Sequence, residues 1–213
     1  MKTDDLVTML ATTAEPVAPG ATTRRYALAL GWGTLGAMLL MVVLLGPRPD
    51  LAEAVRLPMF WLKLGFPICL AIAALVAATR LSRPGVPLGR VPAALLAPII
   101  VIWLMAAYVL LGATPDRRLA LLLGQTWAVC PSLIAMLSLP VFAGTLWAMR
   151  GLAPTRPILA GSAAGLLAGA VATAVYALHC PEMEAPFLAT WYLLGMLMPT
   201  AAGALLGPRL LRW

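Results

Sequence analysis

The sequence predicts an all-α polytopic membrane protein, a bundle of six transmembrane helices preceded by a short cytoplasmic N-terminal amphipathic helix. Three observations predict it. The 213 residues are 62% hydrophobic and only 11% charged, whereas a soluble domain is about 45–50% apolar with about 25% charged residues. Mean hydropathy is +0.94. Six apolar runs are each long enough to cross about 30 Å of hydrocarbon at about 1.5 Å per residue.

The runs cover about 26–45, 59–78, 91–111, 127–149, 157–178 and 187–206. The first is too long for a signal-peptide core and no A-x-A-like site follows it, so it is expected to persist as an anchor. Arg and Lys set the orientation. Lys2, Arg24 and Arg25 precede the first run, Arg80, Arg83 and Arg90 separate the second and third, Arg150 and Arg156 the fourth and fifth, and Arg209 and Arg212 follow the sixth. All four regions fall on one side, which is expected to be cytoplasmic. Arg48, Arg56, Arg117 and Arg118 on the other side are diluted by Asp50, Glu53, Asp116, Glu182 and Glu184. Both termini are therefore expected in the cytoplasm of a bacterial cell, with three short loops on the periplasmic side of the inner membrane. The net charge of +7 is spread between apolar runs, a topological pattern and not a nucleic-acid patch, so no direct nucleic-acid contact is expected. Trp61, Trp127, Trp147, Trp191 and Trp213 fall near expected interfaces, whereas Trp32 and Trp103 lie deeper.

Two units follow, a tail over 1–24 and a membrane domain over 25–213. In the fifth run Gly161, Gly165 and Gly169 recur every four residues beside Ala160, Ala164, Ala168 and Ala172. Small residues on one helical face let backbones approach closely, which places this helix at the centre of the bundle. Pro92, Pro98 and Pro140 are expected to kink their helices. No internal repeat of the kind that builds many transporters is evident.

The runs hold no clear ionisable residue except Lys63, which lies near a helix end and is expected to snorkel to the interface. Proton-coupled transport relies on ionisable groups within the membrane, so that class is disfavoured. No H-E-x-x-H, G-x-S-x-G or intramembrane acidic pair is present, and neither an enzyme nor a cofactor is expected. A small transporter or channel is the competing reading. A thiol oxidoreductase stands behind it, because none of the three cysteines forms a C-x-x-C pair.

The tail begins Thr3-Asp4-Asp5-Leu6. Thr3 can cap a helix and the two aspartates suit its first turn. Leu6, Met9, Leu10 and Thr13 keep helical spacing with Val7 alongside, Pro16 ends the helix, and Pro19 and Gly20 supply a hinge. About eleven helical residues are marginal alone in water. The apolar stripe needs a surface, and its acidic charge opposes an anionic leaflet. Asp4, Asp5, Leu6, Met9 and Leu10 are therefore candidates for docking into a protein partner, with folding on binding.

Cys69, in the middle of the second run, reads as a buried small hydrophobe. Cys130-Pro131 begins the fourth helix, and Cys180-Pro181 ends the fifth beside His179 and Glu182. Both fall on the expected periplasmic side, which is oxidising. Three readings stand open. One is a disulfide, which needs Cα atoms about 4.4–6.8 Å apart. Another is a thiophilic metal held by Cys130, Cys180 and His179. The third is two unrelated packing cysteines.

The Thr3-Asp4-Asp5-Leu6 start with Pro16, Cys130-Pro131, His179-Cys180-Pro181-Glu182 and the Arg212-Trp213 end together resemble the six-span anti-sigma factors of the NrsF type, negative regulators of an extracytoplasmic-function (ECF) sigma factor. The resemblance covers essentially the whole chain. The His-Cys-Pro-Glu stretch, with a second Cys-Pro one crossing earlier, is its most specific part. It implies that the tail holds an ECF sigma factor at the membrane, away from RNA polymerase. It also implies that Cys130 and Cys180 sense heavy metals or oxidants and control release. The mechanism expected is a shift of the fourth helix against the fifth, with Gly161, Gly165 and Gly169 as the sliding face. The sequence carries no signal for an oligomeric state.

Overall fold

The computed structural model describes residues 3–13, 20–152 and 154–212. Lys2, Pro16, Pro19 and Trp213, named above, lie outside the described residues. The chain is helical, with no strand among the described residues. Helix α1 spans Thr3–Thr13. Gly20 then takes a left-handed conformation, φ 84°, which glycine adopts without steric cost, and starts α2. Six helices are long and apolar enough to cross a membrane: α2 (Ala21–Leu45), α4 (Pro58–Leu81), α5 (Val91–Gly112), α7 (Cys130–Arg150), α8 (Pro157–Tyr176) and α9 (Ala185–Leu210). Two short helices lie between them, α3 (Leu51–Ala54) and α6 (Pro115–Leu123).

Proline writes the start of every span but the first. Pro58, Pro92, Pro131, Pro157 and Pro186 each occupy one of the first two helical positions. There the missing N–H would be unpaired anyway and the fixed φ favours the helix. Pro92 therefore initiates α5 and does not kink it. Pro98 and Pro140 are interior, as are Pro67, Pro199 and Pro208, which the sequence reading passed over. The last turn of α2 (Met41–Leu45) and an early stretch of α9 (Leu188–Tyr192) widen into π-helix.

Helix α8 is the most buried span and packs against α9, α4 and α7, while α2 packs on α7. Helix α5 is peripheral, touching α4 and the start of α9. Glycine makes the α8–α9 contact possible. A Cβ at Gly161 would collide with Gly203 O, and one at Gly165 with Pro199 O. At Gly169 it would stand 2.9 Å from Met196 Cα. Gly203 and Gly207 return the contact, facing Gly161 and Pro157. The glycine face thus meets the sixth span, not the fourth, which corrects the expected sliding surface. A second close crossing joins α2 to α7, where a Cβ on Gly33 would lie 2.7 Å from Val141 Cα and one on Gly144 2.9 Å from Ala29 O.

Burial overturns two further expectations. Lys63 does not snorkel: its side chain is fully enclosed, at 0% exposure, because α4 turns that face toward α8 and α9. Cys69 is exposed on the outer face of the bundle and is not part of the core. Span boundaries also shift, two of them at the cysteines. The fourth span begins at Cys130, and the fifth ends at Tyr176, which leaves Cys180 in the loop beyond it.

Candidate functional site

The loops after α2, α5 and α8 meet at one end of the bundle, as six alternating crossings require. Gly46, at φ 73°, turns the chain out of α2, and its carbonyl accepts the Nδ1 proton of His179 at 2.7 Å. Arg48 N donates to Leu178 O at 3.1 Å. Glu182 reaches the third loop, where Oε1 accepts from Gln125 N at 2.7 Å and from Thr126 Oγ1 at 3.4 Å. Trp191 Nε1 donates to Leu122 O at 2.8 Å, and its ring lies 5.4 Å from that of Trp127. These contacts form a roof over the bundle.

Cys130 and Cys180 sit beneath that roof, both free thiols and both at 0% exposure. Cys130 is the first residue of α7, and Thr126 Oγ1 stands 3.9 Å from Cys180 Sγ. The Tyr176 phenol interacts with both thiols. The Tyr192 ring packs on Tyr176 at 6.0 Å, and its hydroxyl is buried beside Cys180. The structure thus brings together two cysteines fifty residues apart in sequence, in a pocket closed to solvent.

Two cations converge on the Cys180 carbonyl. Lys63 Nζ donates to it at 2.5 Å, and Arg48 Nη1 approaches it at 3.4 Å. Arg48 is held by a two-pronged pair with Asp50, Nε to Oδ1 at 2.7 Å and Nη2 to Oδ2 at 2.6 Å. The hydrogen bond from Arg48 holds the Asp50 carboxyl below the usual carboxylate range, and the Asp50 carboxylate raises Arg48 in turn. Lys63 has no carboxylate at ion-pair distance among the described residues. The Tyr192 ring lies 5.8 Å from its Nζ, a cation–π contact. An uncompensated ammonium at the centre of a span costs about 2.5–3.5 kcal/mol on insertion scales, and here a carbonyl and a ring face meet the charge.

The three-ligand metal set does not form. Among the described residues no three His, Cys, Asp or Glu side chains converge to hold an ion. The His179 ring is committed to Gly46 O and lies tilted against Tyr176, 5.7 Å between ring centres. Glu182 serves the roof and not the thiols. The sequence reading gave Lys63, Tyr192 and Thr126 no part in this site. A lone lysine inside an apolar run was the available signal, since intramembrane charges are retained at functional sites.

Helix α2 starts at the opposite end. Near the start of α2, Tyr26 Oη and Ser82 Oγ are 2.8 Å apart, and the Arg25 guanidinium lies 6.0 Å from the centre of the Trp147 ring. On α1, Asp4, Asp5, Val7 and Met9 are exposed. The side chains of Leu6 and Leu10 lie outside the described ones. Thr8 and Thr12 turn their hydroxyls back to the helix, onto Asp4 O at 2.8 Å and Thr8 O at 3.0 Å.

No solved structure matches the chain. Residues 10–213 match the NrsF family, described as negative regulator of sigma F. A probable anti-sigma-F factor NrsF of Azospira oryzae is 59% identical over 213 residues, covering 100% of both chains. The anti-sigma-F factor NrsF of Caulobacter vibrioides is 43% identical over 215 residues, again across 100% of each. With a family match over nearly its whole length and two full-length relatives, the chain belongs to the NrsF family, whose members are regulators and not enzymes.

Proposed function

We propose that the chain is an anti-sigma factor of the bacterial inner membrane, with both termini in the cytoplasm and a partner of the ECF sigma class. Residues 1–24 hold the sigma factor through Asp4, Asp5, Leu6, Met9 and Leu10, and residues 25–213 form the six-helix unit that governs the hold. Cys130 and Cys180 sense a thiophilic metal or an oxidant from the periplasmic side. The names of the relatives support the anti-sigma role. The observation that carries the sensing reading is the enclosed thiol pair, drawn from the start of α7 and the loop after α8 to the bundle end opposite the start of α2.

A signal moves a two-state protein only through its differential affinity for the two states, and about 5.5 kcal/mol carries a population from 1:99 to 99:1. Bridging or metallating two thiols supplies energy of that order. Because Cys130 opens α7 and Cys180 lies in the loop after α8, a change in their separation strains α7 against α8. The α8–α9 glycine contact transmits the strain toward the other end.

The test uses cells that carry the partner sigma factor. Replacing Cys130 and Cys180 with serine is expected to remove the response of its regulon to cadmium and to diamide while the sigma factor stays membrane-bound. An unchanged response would sink the sensing reading. Deleting residues 1–20 is expected to release the sigma factor from the membrane fraction. Full retention by the truncated chain would sink the tail assignment.

A further inference from the structure

Helix α5 is the least buried span, and side chains do not fill the seam it makes with α4. Small residues leave the gap. Gly65 on α4 and Ala94 and Ala97 on α5 line it, and a Cβ on Gly65 would meet nothing within 4 Å. A trough of about 480 Å³ extends there from Leu62 and Ile102 to Cys69 and Ala94. A second, of about 340 Å³, shares Cys69 and Ala94 and continues to Arg80 and Arg90. The α4 wall covers 62–80 and the α5 wall 90–102, about 27 and 18 Å at about 1.5 Å per residue. Half of the hydrocarbon thickness is about 15 Å, so either wall is long enough for an acyl chain reaching from one surface to the middle of the membrane.

Among the residues that line the two troughs only Arg80 and Arg90 are charged, and both stand at the same end. Neither has a carboxylate at ion-pair distance among the described residues. Arg80 is held by the α4–α5 loop. Its Nη1 donates to Leu88 O at 2.8 Å, and a Cβ on Gly89, at φ 55°, would stand 2.9 Å from that nitrogen. Its Nε and Nη2 stay free to donate, as does the Arg90 guanidinium, among the described residues. A guanidinium fork matches the oxygens of a phosphate. We infer that the α4–α5 trough is a binding site for an anionic glycerophospholipid, with one acyl chain along Gly65, Cys69 and Ala94 and the phosphate at Arg80 and Arg90. A second copy of the chain fits the trough poorly. Copies share one orientation in the membrane, and the span ends on this side carry Arg24, Arg25, Arg150 and Arg156, so like charges would meet. The inference stands apart from the thiol-sensing reading and shares no residue with it.

The test places the purified full chain in phosphatidylcholine nanodiscs with a small share of phosphatidylglycerol bearing a diazirine at the end of one acyl chain. After illumination, mass spectrometry maps and counts the crosslinks. Phosphatidylcholine with the same diazirine is the comparison probe. Labelling by the phosphatidylglycerol probe is expected to concentrate on α4 and α5 at the trough, roughly tenfold above that of the comparison probe. Arg80→Gln with Arg90→Gln is expected to remove that excess. Arg150→Gln with Arg156→Gln takes the same charge from the same end of the bundle and is expected to leave labelling within twofold of the parent. Gly65→Leu puts a side chain into the open space without touching any charge, and is expected to reduce labelling as well. Thermal midpoints establish that each variant is folded. Equal labelling by the two probes would overturn the inference, because the trough would then hold only bulk lipid. Equal losses in the two arginine pairs would overturn it too, by assigning the effect to the basic end as a whole. So would unchanged labelling in Gly65→Leu, or labelling of other spans that spares the trough, which would mean that another chain fills it. Should the Arg80 and Arg90 variant fail to fold, the two probes on the parent and on Gly65→Leu decide by the same criteria.

Discussion

Gly165→Ala is the sharpest probe of how the bundle is held together. The added Cβ would fall on Pro199 O and lie 2.7 Å from Thr200 Cα. Both obstacles are backbone, so neither can rotate away. Ordinary van der Waals contact needs about 3.5–4.0 Å, and α8 and α9 must separate by most of that difference along their tightest crossing. Overpacking of this kind costs about 1–3 kcal/mol. The control is Gly31→Ala, where nothing lies within 4 Å of the new atom and helix propensity favours alanine by up to about 1 kcal/mol. The assay is thermal unfolding in detergent micelles, followed by tryptophan emission. Gly165→Ala is expected to lower the midpoint while Gly31→Ala leaves it unchanged or raises it. Equal midpoints for the two variants would refute the claim that the α8–α9 contact depends on a missing side chain.

Four further outcomes follow from the outer roof, the lipid face and the enclosed thiols. Because Arg48 holds the Asp50 carboxyl below its ordinary value near 3.9, Asp50 adds stability that is present above that value and lost as pH falls through the lowered one. Melting curves from pH 7 to pH 3 should show that acid loss in the parent and a smaller one in Asp50→Asn. His179→Ala removes the donor to Gly46 O, a loss of about 0.5–1.5 kcal/mol, and should speed hydrogen exchange around Arg48 N; unchanged protection there would count against the latch. Cys69 faces outward, so Cys69→Ala should move the thermal midpoint by no more than the equivalent of about 0.5 kcal/mol. Cys180→Ala, which empties a fully enclosed position, should lower it measurably.

The six crossings were legible in the sequence because lipid imposes a one-dimensional constraint: a helix that satisfies its own backbone must stay apolar for the thickness of the hydrocarbon. Their order, their alternation and the helical tail from Thr3 could be read along the chain for the same reason. The glycine spacing on α8 declared a close contact but not its partner. Gly161 and Gly165 look alike whether they face Val141 or Gly203, and only the three-dimensional arrangement chose α9. Pro92 and Pro98 show the same limit, since one starts a helix and the other lies inside it.

The candidate site divides along the same line. Cys130 and Cys180 announced themselves through repeated Cys-Pro dipeptides at the ends of apolar runs. Their enclosure under one roof, the turning of His179 to Gly46 O, and the absence of a three-ligand set among the described residues arise from contacts between loops far apart in sequence. Lys63 is the clearest case. The sequence by itself determined that one lysine stands a turn and a half inside an apolar helix, from where its flexible stem could reach water. The tertiary structure decided that it points inward, because rotation about the α4 axis is set by which face packs on α8, and a helix end offers no snorkelling path once that face is buried.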